Sequence, residues 1–145
     1  MVTELYTAIH LALRSDPEFL ALMGLDPAAP VMQGKRIQKK SRPSNLAEEN
    51  LPLTTFYAIP QGGANRHNHL VYDAIFMFDV YTSDDVALAH DISKRIVQLF
   101  HGQINPFQDV ENFETRIVAQ HESVSDLADS YCFSTVLHFT ITLES

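Results

Sequence analysis

The run from Tyr131 to Leu143 constrains the fold more than any other stretch of the chain. Tyr131, Phe133, Thr135, Leu137, Phe139, Ile141 and Leu143 alternate with Cys132, Ser134, His138, Thr140 and Thr142. A period of two held this long predicts a half-buried strand, and such a strand needs partners. Leu70 to Thr82 supplies one. Tyr72, Ala74, Phe76, Phe78 and Val80 form an apolar face, while Val71, Asp73, Ile75, Met77, Asp79 and Tyr81 form the other. That second face is half apolar, so something besides solvent should touch it. Phe113, Thr115, Ile117 and Ala119 alternate with Glu114, Arg116 and Gln120, and the acidic stretch 122–129 reads as a hairpin turn into the last strand.

Three further segments read as helices. Leu5, Ile9, Ala12 and Leu13 recur at helical spacing, and Asp16-Pro17 closes that segment. Pro17 then opens a short helix that Gly24 stops. Ser83 is the expected cap of a long helix, with Asp84 and Asp85 in its first turn, a stripe of Val86, Ala89, Ile92, Ile96, Leu99 and Phe100, and Gly102 at its end. Val31 to Gln38 alternates weakly and is expected to be a strand. Leu53 to Ile59 is β-rich and stopped by Pro60, and 39–50 and 61–69 read as polar connections.

Strands follow strands in this order, which favours α+β: a mostly antiparallel sheet of four to five strands packed against two to three helices, in a single domain over 1–145. At 145 residues and 46% apolar composition the chain can bury its own core, which excludes disorder or a coiled coil for the whole. No run nears the ~18 apolar residues of a membrane helix, and Glu4 stands where a signal peptide would carry a cation. The chain reads as soluble and intracellular, without membrane contact. One cysteine, Cys132, allows no internal disulfide and no cysteine-based zinc site.

The residues of catalysis do not assemble in the sequence. There is no phosphate-binding glycine loop and no Gly-x-Ser-x-Gly elbow. Asp73 and Asp79 share a strand face but lie ~20 Å apart in an extended chain, too far for a general acid/base pair. No enzyme and no cofactor is expected. His67 and His69 form a His-x-His, a pattern that can start a metal site, yet no Glu or Cys stands nearby to complete it. Two solvated loop imidazoles are the plainer reading; a small-ligand or metal-binding domain using them is the competing one.

Charge is the least ordinary property. The formal net charge is −8, yet Lys35, Arg36, Lys39, Lys40 and Arg42 concentrate half of the 10 basic residues, leaving 5 against 18 acidic residues elsewhere. Three readings compete: a solvated, aggregation-blocking edge, a nucleic-acid contact, or a dock for an acidic protein surface. The nucleic-acid reading lacks aromatic residues among the charges, and the rest of the chain would repel phosphate. Docking, with another copy of this chain as one candidate, suits the asymmetry. Lys35, Arg36, Lys39, Lys40 and Arg42, with Ile75, Met77 and Tyr81 on the half-apolar strand face, are therefore the expected subunit or partner interface.

The opening Leu5-Tyr-Thr-Ala-Ile-His-Leu-Ala-Leu-Arg-Ser-Asp-Pro-Glu-Phe-Leu-Ala-Leu-Met-Gly24 resembles the start of the tail-terminator and tail-completion proteins of long-tailed bacteriophages. Leu51-Pro52-Leu53-Thr54-Thr55-Phe56-Tyr57, the aromatic strand Tyr72 to Tyr81, the helix Ser83 to Phe100 and the closing hairpin Phe113 to Leu143 follow in that family's order. The resemblance implies a virion protein assembled in the host cytoplasm, placed at the head-proximal end of the tail. It implies a homo-oligomeric ring, commonly of six, that caps the tail tube protein and joins the head connector or stopper protein, with DNA only passing through the lumen. A head-completion or stopper protein on the connector side is the alternative. Six copies at −8 each would carry −48, which suits a conduit that must release DNA.

Overall fold

The computed structural model describes residues 2–60, 62–64, 70–103 and 112–142. Helices α1 (Val2–Arg14), α2 (Pro17–Met23) and α3 (Pro30–Arg36) precede strands β1 (Ile37–Gln38), β2 (Leu53–Ala58), β3 (Gly63–Ala64) and β4 (Val71–Thr82). Helix α4 (Val86–Phe100) and strands β5 (Asn112–Ser123) and β6 (Tyr131–Thr142) follow. The sheet order is β1-β2-β4-β6-β5, with β3 extending the β2 side of β4. Only β1 runs parallel to its neighbour; the other pairings are antiparallel. The class is α+β, as the alternation of strands implied.

Periodicity explains most elements. In α1, Leu5, Ile9 and Leu13 are fully buried, each one turn after the last. Helix α2 has proline in its first turn, and the Asp16 carboxylate accepts the Phe19 N–H at 2.8 Å. Gly24 closes it at φ 69°, a left-handed conformation that costs glycine nothing. Asp16 also receives the Arg95 guanidinium of α4 on both oxygens, at 2.7 and 2.8 Å, so one carboxylate caps α2 and ties it to α4. That cation holds the Asp16 carboxyl below the usual carboxylate range.

Two local expectations are corrected. Val31 to Gln38 is not a strand: Pro30 opens helix α3, in which Gln33 and Arg36, three residues apart, face inward, and only Ile37 and Gln38 pair with β2. Short length and buried polar residues hide its helical period. The cap of α4 is Asp85, not Ser83. Its carboxylate accepts Leu88 N–H at 3.0 Å, while Thr82 Oγ1 donates to Asp85 O at 2.8 Å and sets the turn. Asp84 takes φ 53° within that turn.

Helices α1, α2 and α4 pack on one sheet face. Phe56, Phe76, Phe78, Phe100 and Phe139 fill the interface at exposures of 0–1%. Phe76 meets Phe139 edge-on, with centroids 5.8 Å apart at 84°, and Phe56 stacks on Phe78 at 5.5 Å. A bulge in β5 shifts the register between Ile117 and Ala119, so Val118 is the extra residue and Ala119 pairs with Val136 on the opposite face. The expected alternation of Thr115, Ile117 and Ala119 on one face therefore breaks after Ile117.

Candidate interaction face

The sheet face turned away from the helices carries Leu53, Thr55 and Tyr57 from β2, the odd-numbered residues of β4, and Cys132 to Thr140 in alternation from β6. At one end Leu53, Tyr81 and Cys132 are buried beneath Leu46 and Leu51 of the segment 39–52, which straps across the sheet. Burial pushes the Cys132 thiol up to about 12, so it packs as a small apolar side chain. Toward the other end Tyr57, Ile75 and Met77 are half-buried. Ile75 and Met77 thus keep part of their surface in solvent, whereas Tyr81 is only 7% exposed because the strap covers it.

Two hydrogen-bonded chains cross this face. Asp79, 5% exposed, accepts from Tyr57 Oη at 2.8 Å and from Ser134 Oγ at 2.5 Å, and Ser134 continues to Ser123 of β5. Burial pushes the Asp79 carboxyl up, and burial with the Asp79 charge pushes the Tyr57 phenol up. Farther along, His138 Nε2 donates to Asp73 Oδ1 at 3.0 Å while its Nδ1 accepts from Arg116 Nε at 3.2 Å. Both imidazole nitrogens are occupied, and an arginine stands where an Asp–His pair in a hydrolase would meet its nucleophile.

The basic segment divides. Lys35, Lys39, Lys40 and Arg42 are exposed, and Lys40 Nζ donates to Ser44 Oγ. Arg36 departs from the interface expectation: it is 8% exposed, its Nε donates to Pro52 O at 3.0 Å, and its Nη2 donates to Met23 O at the end of α2. Burial lowers its pKa, and the two carbonyls compensate its charge. Arg36 is a structural tie between α2, α3 and the start of β2.

Where the strap meets the β5–β6 turn there is an open cleft of about 310 Å³. Ser41, Arg42, Pro43 and Leu46 form the strap wall, Asp126 and Leu127 the turn wall, and Tyr81 lies between them. Arg42 is thus already set opposite an acidic residue of its own chain. The cleft escapes sequence reading because its walls come from distant segments; the clustered charges on each were the available signal. His67 and His69 lie outside the described residues. Among the described residues no three His, Cys, Asp or Glu side chains gather as a metal site, and no helix is long and apolar enough to cross a membrane.

No protein-family model matches this chain, and no curated protein sequence matches it. A solved structure does share its fold. A chain in the virion of a native gene transfer agent particle superposes with a TM-score of 0.63, over 95% of this chain and 94% of that one. Identity between the two is 16%, so the likeness is one of architecture.

Proposed function

We propose that the chain is a structural protein of a phage-like virion that caps the tail tube as a ring and forms the joint to the head connector. The observation that carries this reading is the fold shared over nearly the full length of both chains with a virion component. The N-terminal phrase Leu5 to Gly24 and the element order, which resemble tail-terminator and tail-completion proteins, supply the finer role. The mechanism is head-to-tail association between unlike surfaces, closing into a ring, commonly six-membered in the proteins it resembles. Lys35, Lys39 and Lys40 meet acidic surface on the adjacent subunit or the tube, while Arg42 faces Asp126 of its own chain, and Ile75 and Met77 lie on the face a neighbour covers. The chemistry is assembly rather than turnover, with DNA only crossing the lumen.

The test is the solution mass of the purified protein over a concentration series, with negative-stain images, alone and with tail tubes or filled heads of the encoding particle. Closed rings, or a monomer that forms rings when tubes are added, are expected. Binding to heads but not tubes would move the protein to the connector side. A monomer that ignores both would refute the reading.

A further inference from the structure

Helix α3 presents an apolar pair to solvent. Val31 is 71% exposed and Met32 38%, next to Lys35, which lies one turn beyond Val31. The neighbouring inward positions Gln33 and Arg36 are buried, so this helix turns its polar residues in and its apolar ones out, the reverse of a surface helix that covers a core. Arg14 Nε holds Gln33 Oε1 at 3.2 Å, and Gln33 Nε2 donates to Asp26 O at 2.9 Å, which pins that orientation.

The cleft between strap and turn has the complementary character. Leu46, Leu127 and Tyr81 give it apolar surface, Asp126 stands on the turn wall, and Asp129 and Glu122 belong to the same hairpin end. Its volume of about 310 Å³ has room for two aliphatic side chains. The chain's own Val31 and Met32 do not fill it, since they stand in solvent. Taken with the head-to-tail reading above, on which this step rests, the geometry points to one occupant: the α3 corner of a second copy, with Val31 and Met32 seated in the cleft and Lys35 against Asp126. Arg42 on the opposite wall repels the incoming lysine and confines it to the turn side, which fixes the orientation of docking. Donor corner and acceptor cleft are different surfaces, so each subunit offers one of each and the contact propagates from copy to copy.

The experiment uses the full chain carrying Val31→Cys and Leu127→Cys together, treated with a short thiol-to-thiol cross-linker under the condition, alone or with tail tubes, in which wild type forms rings; native Cys132 is 1% exposed and stays silent, as wild type will show. A ladder of covalent oligomers is expected from the double variant, and none from either single variant. Products confined to one chain, products that stop at two chains, or none at all, overturn the inference. Val31→Asp should weaken self-association about tenfold or more, as loss of a central apolar anchor does, whereas Val118→Asp, at 54% exposure on β5, should leave it unchanged. Equal effects of the two would also overturn it. The wild-type mass and images report separately: rings without the cross-link ladder reject this contact and keep the ring, while a wild type that never assembles rejects the ring itself.

Discussion

Replacing Arg36 by alanine separates folding from assembly within the basic segment. Arg36 is 8% exposed and donates to Pro52 O at 3.0 Å and to Met23 O. Each bond from a charged donor contributes about 1.5–3 kcal/mol, and the loss leaves two carbonyls to be rehydrated at a site alanine cannot fill. Water reaches part of that space, so the lower half of the range applies and the cost is about 3 kcal/mol. At about 2.1 cal/mol/K per residue, 145 residues have an unfolding entropy near 0.3 kcal/mol/K, so Tm falls by about 10 °C. Lys39→Glu with Lys40→Glu alters only exposed side chains, which shifts stability by about 0.5 kcal/mol or less. That pair should hold Tm within about 2 °C and lose assembly instead. Calorimetry and light scattering on the same samples decide. An Arg36→Ala protein that melts with wild type, or keeps its Tm and fails only to assemble, refutes the division.

Asp16→Ala removes a helix cap and both Arg95 bonds, and should cost about 2 kcal/mol near pH 7 after allowance for the partial exposure of Arg95. Because the folded Asp16 pKa is lowered, that contribution is present above the ordinary carboxylate pKa and is lost as pH falls through the folded value, so the wild-type and variant unfolding curves should converge in acid. Asp79→Asn works in the other direction. A carboxyl whose pKa is raised by burial costs stability above its folded pKa, so the variant should match or exceed wild type at pH 7 and lose that advantage on acidification. Phe76→Ala empties a site at 0% exposure and should cost about 3–5 kcal/mol in denaturant titration. Raising salt from about 0.1 to about 1 M, which shortens the Debye length from about 10 to about 3 Å, should weaken wild-type assembly, and a flat response would remove the charge term.

The strands β4 and β6 and the helices α1, α2 and α4 were legible because each buries one face over several periods. Leu5, Ile9 and Leu13, or Phe76, Phe78 and Val80, repeat a burial pattern that residue type alone displays. Helix α3 was not legible, since its inward residues are Gln33 and Arg36, and their partners are backbone carbonyls and side chains contributed by other segments. The cap at Asp85 was two residues from where it was expected because Thr82 and the left-handed Asp84 build the turn before it. For the candidate site, the basic segment and the half-apolar β4 face were visible as composition. The inward turn of Arg36, the strap over Tyr81 and the cleft against Asp126 required the chain to be folded, because burial at a loop is set by what crosses it.

The two sheet faces answer different demands. The helix-covered face is closed by phenylalanines and gains stability from dryness. The opposite face mixes Tyr57, Ile75 and Met77 with hydrogen-bonded polar chains through Asp79 and His138. A uniformly apolar face there would aggregate in the free subunit, and a uniformly charged one would not dry against a neighbour. Polar groups already satisfied within the chain need no new partner when water leaves, so this face can be wet in the free protein and covered in an assembly at small desolvation cost. A net charge of −8 opposes random contact between free copies, and in the proposed assembly the outward lysines would give the approach a direction. In the proposed ring, such a subunit would resist random association and close only on its target.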